Sequence, residues 1–294
     1  MKNKHIQLAL VIILGLVIPA IATDAKKKTA AEKKAPPPKA KPKSVFADKN
    51  LEKAVRRQVF AKRDNDEPLT AEDVAQVAVV QGRGLKIKSL KGLEHCRALA
   101  SLNLADNEIA DISPLKGLPR LQQLILATNK VAAINPLKEN LALQYIDLNH
   151  NQVSDISACS GLTNLAVLYL SDNQVKSVAP VCGLPKLHSL YIDRNGISNL
   201  DGLNQLRWLS SFSAAGNKIT DLAPLKGLEN LSFIYLVNNQ IANIEPLLES
   251  LKRDYEGKQR FAPYVNIYLA GNPLTAASKV AMERFRKQYH TRFK

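Results

Sequence analysis

Leu99–Arg120 reads LASLNLADNEIADISPLKGLPR. The same phrase returns along most of the chain, drifting in sequence but not in spacing. Leu99, Leu121, Leu143, Leu165, Leu187, Leu209 and Leu231 stand 22 residues apart, and Asn107, Asn129, Asn151, Asn173, Asn195, Asn217 and Asn239 follow in the same phase. A fixed period of this size marks a stacked-coil architecture, in which one unit cannot bury its own apolar residues and its neighbours bury them for it.

Each position of the phrase has a physical reason. Positions four and six, Leu102 and Leu104, alternate with polar residues, the period of a short strand with one buried face. Position nine is asparagine because the chain turns inward there. The backbone groups at that turn need a short side chain that both donates and accepts. Position eleven (Ile109, Val131, Val153) and position fourteen (Ile112, Ile134, Ile156) close the core. Proline at position sixteen (Pro114, Pro136, Pro180, Pro224, Pro246) suits a tight return without a long helix. The pattern matches the leucine-rich repeat, so the expected fold is an α/β solenoid: a right-handed coil of such repeats with a concave parallel β-sheet.

The ends of a stack need caps. Residues 46–61, FADKNLEKAVRRQVFA, read as an amphipathic helix, and Thr70-Ala-Glu-Asp73 as a capping box opening a second one. The first repeat, from Val77, is degenerate: Leu85 stands where asparagine is expected. The last, with Tyr264, Ile267, Leu269 and Asn272, arrives 11 residues late, after a charged insertion around 252–262. The organisation expected is an N-terminal helical cap at 45–76, repeats at 77–273 and a C-terminal capping helix at 274–294.

Outward from the repeats, the N-terminus reads as a secretory signal over 1–22. Lys2 and Lys4 precede an apolar run from Leu8 to Ile18, and Ala20-Ile21-Ala22 offers a small-residue cleavage site. An uncleaved anchor is the alternative. Residues 23–44 form a Lys/Pro/Ala-rich disordered linker, either a solvated spacer or a tether to an anionic envelope polymer or lipid. The chain of 294 residues carries a net charge of +15, but leaving out residues 1–44 leaves 31 basic against 24 acidic residues. Residues 1–44 therefore carry +8 of the +15, and the folded part keeps only a mild basic excess of +7. The expected location is outside the cytoplasm: periplasm, cell envelope or medium.

The PLKGL phrases, the 22-residue period and the NLEKAVRRQV…LTAEDV segment resemble the internalin-like class of bacterial leucine-rich-repeat proteins, over roughly 46–273. The resemblance implies a curved solenoid holding a protein ligand on its concave sheet. An immunoglobulin-like domain and a cell-wall sorting motif, found in the adhesin members, are missing, so a role in host invasion does not carry over.

Positions two, three, five, seven and eight of each repeat are expected to face solvent on the sheet. Position five reads Gln81, Asn103, Ile125, Asp147, Tyr169, Tyr191, Ser213, Tyr235 and Tyr268, and position three adds Tyr145 and Phe233. Six of the fifteen Tyr and Phe residues thus fall on this face. Tyrosine brings contact area and a polar tip at low entropic cost, which suits a protein or peptide ligand; its preference for strands is the bland alternative. Nine strands about 4.8 Å apart give a surface of roughly 40 Å. Asp106, Asp147, Asp172 and Asp193 share the face with few cations, whereas Lys116, Lys138 and Lys226 lie on the convex side. A nucleic-acid groove would place cations beside the aromatics, so no nucleic-acid partner is expected and a basic or mixed protein is. The expected partner-binding residues are Tyr145, Asp147, Tyr169, Asp172, Tyr191, Asp193, Ser213, Phe233, Tyr235 and Tyr268. The coil holding Ser210, Ser211, Ser213, Ala215 and Gly216 should form a shallow slot between Tyr191 and Tyr235.

Chemistry is sparse. His150 and Asp172 occupy position eight of adjacent repeats, so they can touch, but no activated nucleophile accompanies them. No cofactor, metal site or enzymatic activity is expected. Cys96, Cys159 and Cys182 read as buried free thiols, with a Cys159–Cys182 bridge as the alternative in an oxidising compartment.

Overall fold

The computed structural model describes residues 43–294, so the expected signal and nearly all of the linker lie outside the described residues. Within them the chain builds one parallel sheet whose strands follow in sequence order. The strands are β1 (Val79–Gln81), β2 (Ser101–Asn103), β3 (Gln123–Ile125), β4 (Tyr145–Asp147), β5 (Val167–Tyr169), β6 (Ser189–Tyr191), β7 (Ser211–Ser213), β8 (Phe233–Tyr235), β9 (Asn266–Tyr268) and β10 (Arg292–Phe293). Each repeat residue pairs with its equivalent one coil on: Leu102 with Leu124, Leu168 with Leu190. The fold is the leucine-rich-repeat solenoid with helical ends.

The core is a column of aliphatic side chains. Leu102, Leu104, Ile109 and Leu121 are fully buried, and so are their equivalents through the stack. Opposite the sheet, proline-led 3-10 turns such as Ser113–Leu115 and Ala223–Leu225 return the chain. Proline fits there because the first turn of a helix needs no N–H from it.

The asparagines form a ladder that crosses coils. Asn129 Nδ2 donates to Leu104 O and Leu126 O, each at 3.0 Å, while Oδ1 accepts from Ile109 N at 3.0 Å. Asn151 repeats the set with Leu126 O, Leu148 O and Val131 N. The ladder even spans the insertion: Asn272 donates to Leu236 O and accepts from Ile241 N. The turn expected at the asparagine is made by the residue before it. Position eight is left-handed in every coil, with Asp106, Thr128, His150, Asp172, Arg194, Gly216, Asn238 and Gly271 all at positive φ. Six of these eight are Asp, Asn, His or Gly, the types that tolerate it, and Thr128 and Arg194 take the same conformation.

At the N-terminal end, α1 (Lys49–Arg56) is shorter than the helix expected over 46–61, and the rest of that stretch continues as a 3-10 turn at Phe60–Lys62. Asp48 caps it through Oδ1 and ties it to the first coil, Oδ2 accepting from Lys88 N at 2.7 Å. Phe46 seats against Gly92, whose φ of 110° and missing Cβ leave room for the ring. The expected capping box is present, opening α2 (Ala71–Val74).

Two features correct the sequence reading of the C-terminal end. The insertion is not simply a charged loop. The turn that opens it, Glu245-Pro246, runs on into α3 (Glu245–Tyr255), whose Leu247, Leu248 and Leu251 are buried. Asp254 then pins the return, accepting from Phe261 N and Ala262 N. The segment 274–294 holds more than a capping helix: after α4 (Ala276–Tyr289), β10 joins the edge of the sheet beside β9.

Candidate protein-binding face

Three-residue strands 22 residues apart put every second side chain into the core and the rest outward. The six aromatics expected on the outer face are there, and they gather into two groups. Tyr145, Tyr169 and Tyr191 meet edge to face, with ring centroids 5.5 and 4.8 Å apart. Tyr235 and Tyr268 stack almost parallel at 4.2 Å. All five tyrosines are half-buried by one another, and Phe233 at the margin is 41% exposed.

Ser213 separates the two groups, and here the structure corrects the expected slot. Ser213 is only 5% exposed, with Tyr191 and Tyr235 in register on either side. Its hydroxyl donates to Asp193 Oδ1 at 2.5 Å. The serine is a buried link in a polar network, not the floor of an open cleft.

The acids also differ from expectation. Asp193 is consumed internally: besides Ser213 it accepts from Ala215 N at 2.7 Å and from Ser171 Oγ at 3.1 Å. Asp172 takes a two-pronged contact from Arg194, both bonds at 2.6 Å. This contact, helped little by His150, holds the Asp172 carboxyl below the usual carboxylate range. Asp106 pairs with Arg83 at 2.5 Å. The two cations on this face thus neutralise two of its four acids, Asp106 and Asp172. The signal was in the sequence, since Asp172 and Arg194 share position eight of consecutive repeats.

Asp147 stands apart. Its carboxyl accepts from Asn149 N at 3.0 Å and has no ion-pair partner among the described residues. Burial raises its pKa. Burial likewise pushes the neighbouring Tyr145 hydroxyl up to about 12, with the Asp147 charge adding to it. Tyr169 is raised as well, by burial first and then by its neighbours Tyr191 and Asp147. At the other end of the face Lys294 comes back over Tyr268, its Nζ 5.2 Å from the ring centroid and 3.3 Å from the hydroxyl. Nothing in the repeat pattern announces that contact, because it depends on where α4 returns the chain.

His150 Nδ1 reaches Asp172 Oδ2 at 3.3 Å, as the repeat register suggests, but the carboxylate is already committed to Arg194. Among the described residues no group of three or more His, Cys, Asp or Glu is placed to hold a metal ion. The three cysteines are free and buried, so the alternative Cys159–Cys182 bridge is not formed. Burial pushes the thiols of Cys96 and Cys159 up to about 12 and that of Cys182 to about 11. Thiols so far from ionisation make poor nucleophiles. No described helix is long and apolar enough to cross a membrane.

Comparison with known proteins agrees with this geometry. The family profile of leucine-rich repeats matches residues 97–139, 142–180, 163–205 and 207–249, together about half of the chain. Among solved structures the chain is similar to internalin C2 of Listeria monocytogenes, at 28% identity and a TM-score of 0.67, covering 79% of this chain and 95% of that one. It also resembles an internalin F of the same species, at 24% identity and a TM-score of 0.60, over 81% of this chain and 86% of that one. A leucine-rich-repeat protein of Leptospira interrogans matches at 20% identity and a TM-score of 0.53, over 69% of this chain and 56% of that one. At these identities the last two speak for the fold alone.

Proposed function

Because this chain belongs to the leucine-rich-repeat family, in its internalin-like form, we propose that it is an exported, non-catalytic scaffold that grips a protein or extended peptide on its sheet. Leucine-rich-repeat proteins of this kind are protein-binding modules, and the observation that supports the sheet face as the binding surface is the tyrosine run. Tyr145, Tyr169 and Tyr191 touch in sequence across β4–β6, and Tyr235 and Tyr268 resume across β8–β9. Aromatic side chains already held by their neighbours lose little freedom on binding, which is what favours tyrosine at interface centres.

The electrostatics narrow the partner. With Asp106, Asp172 and Asp193 satisfied internally, Asp147 is the acid on the face left for a partner to pair. It lies among tyrosine rings, so a lysine or arginine entering there meets both a carboxylate and π-faces. Lys294 over Tyr268 shows a cation resting on this chain's own aromatic surface. The partner contact therefore centres on Tyr145, Asp147, Tyr169 and Tyr191. Asp172 and Asp193 act behind them as positioning residues, and Phe233, Tyr235 and Tyr268 extend the surface. The export half of the proposal rests on the sequence of residues 1–22.

The test is capture. The full chain and its Tyr169→Ala/Tyr191→Ala variant are immobilised and exposed to extracellular and envelope proteins, and each captured partner is titrated back. The double variant should bind the partner at least about 30-fold more weakly, an aromatic pair at an interface centre contributing on the order of 2 kcal/mol or more. Its circular dichroism and melting should stay close to those of the parent, because both rings lie outside the core. Equal affinity of the two proteins for every captured partner would remove the proposal.

A further inference from the structure

The insertion that delays the last repeat does more than lengthen a loop. Asp254 Oδ1 accepts from Arg260 N at 3.1 Å and so holds Arg260 in place. The Arg260 guanidinium reaches back to the coil edge, donating to Glu229 Oε2 at 3.0 Å and to Asn230 Oδ1 at 3.5 Å. Asn230 Nδ2 in turn donates to Arg207 O at 2.6 Å. Between these groups lies a cavity of 480 Å³, lined among others by Arg207, Trp208, Lys226, Glu229, Asn230 and Arg260. It sits where the coils enter the strands, not on the outward sheet face that carries the tyrosines.

Trp208 is the chain's one tryptophan, and it is 62% exposed. A residue so apolar left in water needs a reason, and here it forms the apolar wall of a polar cavity. Three cations line the same cavity against one carboxylate, Glu229. Arg260 is committed to Glu229, and Lys226 to Glu249 at 2.6 Å. Arg207 has no ion-pair partner among the described residues, and its guanidinium is free for a ligand.

These groups together select a chemistry. A bare phosphate would use the cations and leave the indole idle. A wholly apolar ligand would leave the Arg207 guanidinium without a counter-charge. An acidic sugar satisfies both: one face of its ring is C–H and packs on an indole, while its edge carries hydroxyls and a carboxylate. The volume falls in the range of about 300–1,000 Å³ common to small-ligand sites. We propose that this cavity binds an acidic saccharide, the ring stacked on Trp208 and the carboxylate held by Arg207. The site is independent of the sheet face.

Trp208 makes the test direct, since its fluorescence, excited where tyrosine does not absorb, reports on this cavity alone. The full chain is titrated at matched ionic strength with glucuronate, with glucose and with inorganic phosphate. Glucuronate should give a saturable change, with glucose and phosphate each at least about tenfold weaker, and Arg207→Ala should weaken glucuronate by about tenfold. Tyr169→Ala, on the other surface, should leave the titration unchanged. A response to glucuronate that never saturates, one matched by glucose or by phosphate, or one that survives Arg207→Ala would overturn the assignment.

Discussion

Replacing Asn129 with alanine should cost about 3 kcal/mol of stability, read as a lower midpoint in urea or heat. The cost falls on one atom more than on the others. Leu104 O and Leu126 O, which Asn129 holds, are also held by Asn107 and Asn151 at 2.8 and 2.9 Å. The backbone N–H of Ile109 has only Asn129 Oδ1, and Ile109 is fully buried. The alanine variant strands that donor with no water to replace its partner, and removes two charge-neutral bonds besides. Asn129→Asp is the sharper form of the same experiment. It keeps an acceptor for Ile109 N but turns a carboxylate toward the two carbonyl oxygens of Leu104 and Leu126, which repel it. Protonation restores the donor, so the folded-state pKa of the new group must lie above its unfolded value of about 3.9. The folded form then binds the proton more tightly, and stability falls as pH rises between the two values. Asn129→Asp should therefore recover much of its lost stability on acidification toward about pH 4, a recovery Asn129→Ala cannot show.

Phe212 should be the most costly single core truncation. From the second coil on, positions four and six are filled by Leu or Ile in all the other coils. In this coil the pair is Phe212 and Ala214, both fully buried. The larger ring at one position is matched by the smaller side chain at the other. Phe212→Ala places two small residues in succession, with nothing adjacent to fill the space, and should cost about 4 kcal/mol. Ala214→Leu alone should overpack the coil and cost roughly 1–3 kcal/mol. Phe212→Leu/Ala214→Leu together rebuild the pattern of the other coils and should return to within about 1.5 kcal/mol of the parent. Thermal melting of the set checks all three, and additive losses in the double variant would show that the two side chains do not share one volume.

Much of this molecule is legible in its sequence because the repeat fixes the environment of each position. A leucine at position four and an asparagine at position nine meet the same neighbours in every coil, so one copy explains the rest. The strand register, the ladder and the outward row of tyrosines all follow from that, while the capping box at Thr70 is legible from its own local motif. What the repeat does not contain is harder to read. α3 grows from the same proline-led turn that stays short in the earlier coils. The spacing of Leu247, Leu248 and Leu251 carries its helical signal, masked by the surrounding charges. β10 is two residues long and carries no alternation to detect.

The face shows the same division. The tyrosines point outward because the pleat requires it, while the fate of the acids depends on side chains reaching between coils. Asp193 turns toward Ser213 and Asp172 toward Arg194, and no single repeat shows either contact. Ser213 looked like open floor because serine is small, yet it is closed over by its hydrogen bond and its flanking rings. Arg260 reaches the cavity beside Trp208 from 52 residues further along, at the end of the insertion, a contact outside the period altogether.

Hydroxyl-radical footprinting of the full chain, free and bound to its captured partner, asks most directly where that partner sits. The sheet-face account predicts that Tyr145, Tyr169 and Tyr191 lose most of their reactivity in the complex, with lesser protection of Phe233, Tyr235 and Tyr268, while Phe60 and Tyr264 react as before. Unchanged tyrosines on β4–β6, with protection confined to the convex side or to the helical ends, would contradict it.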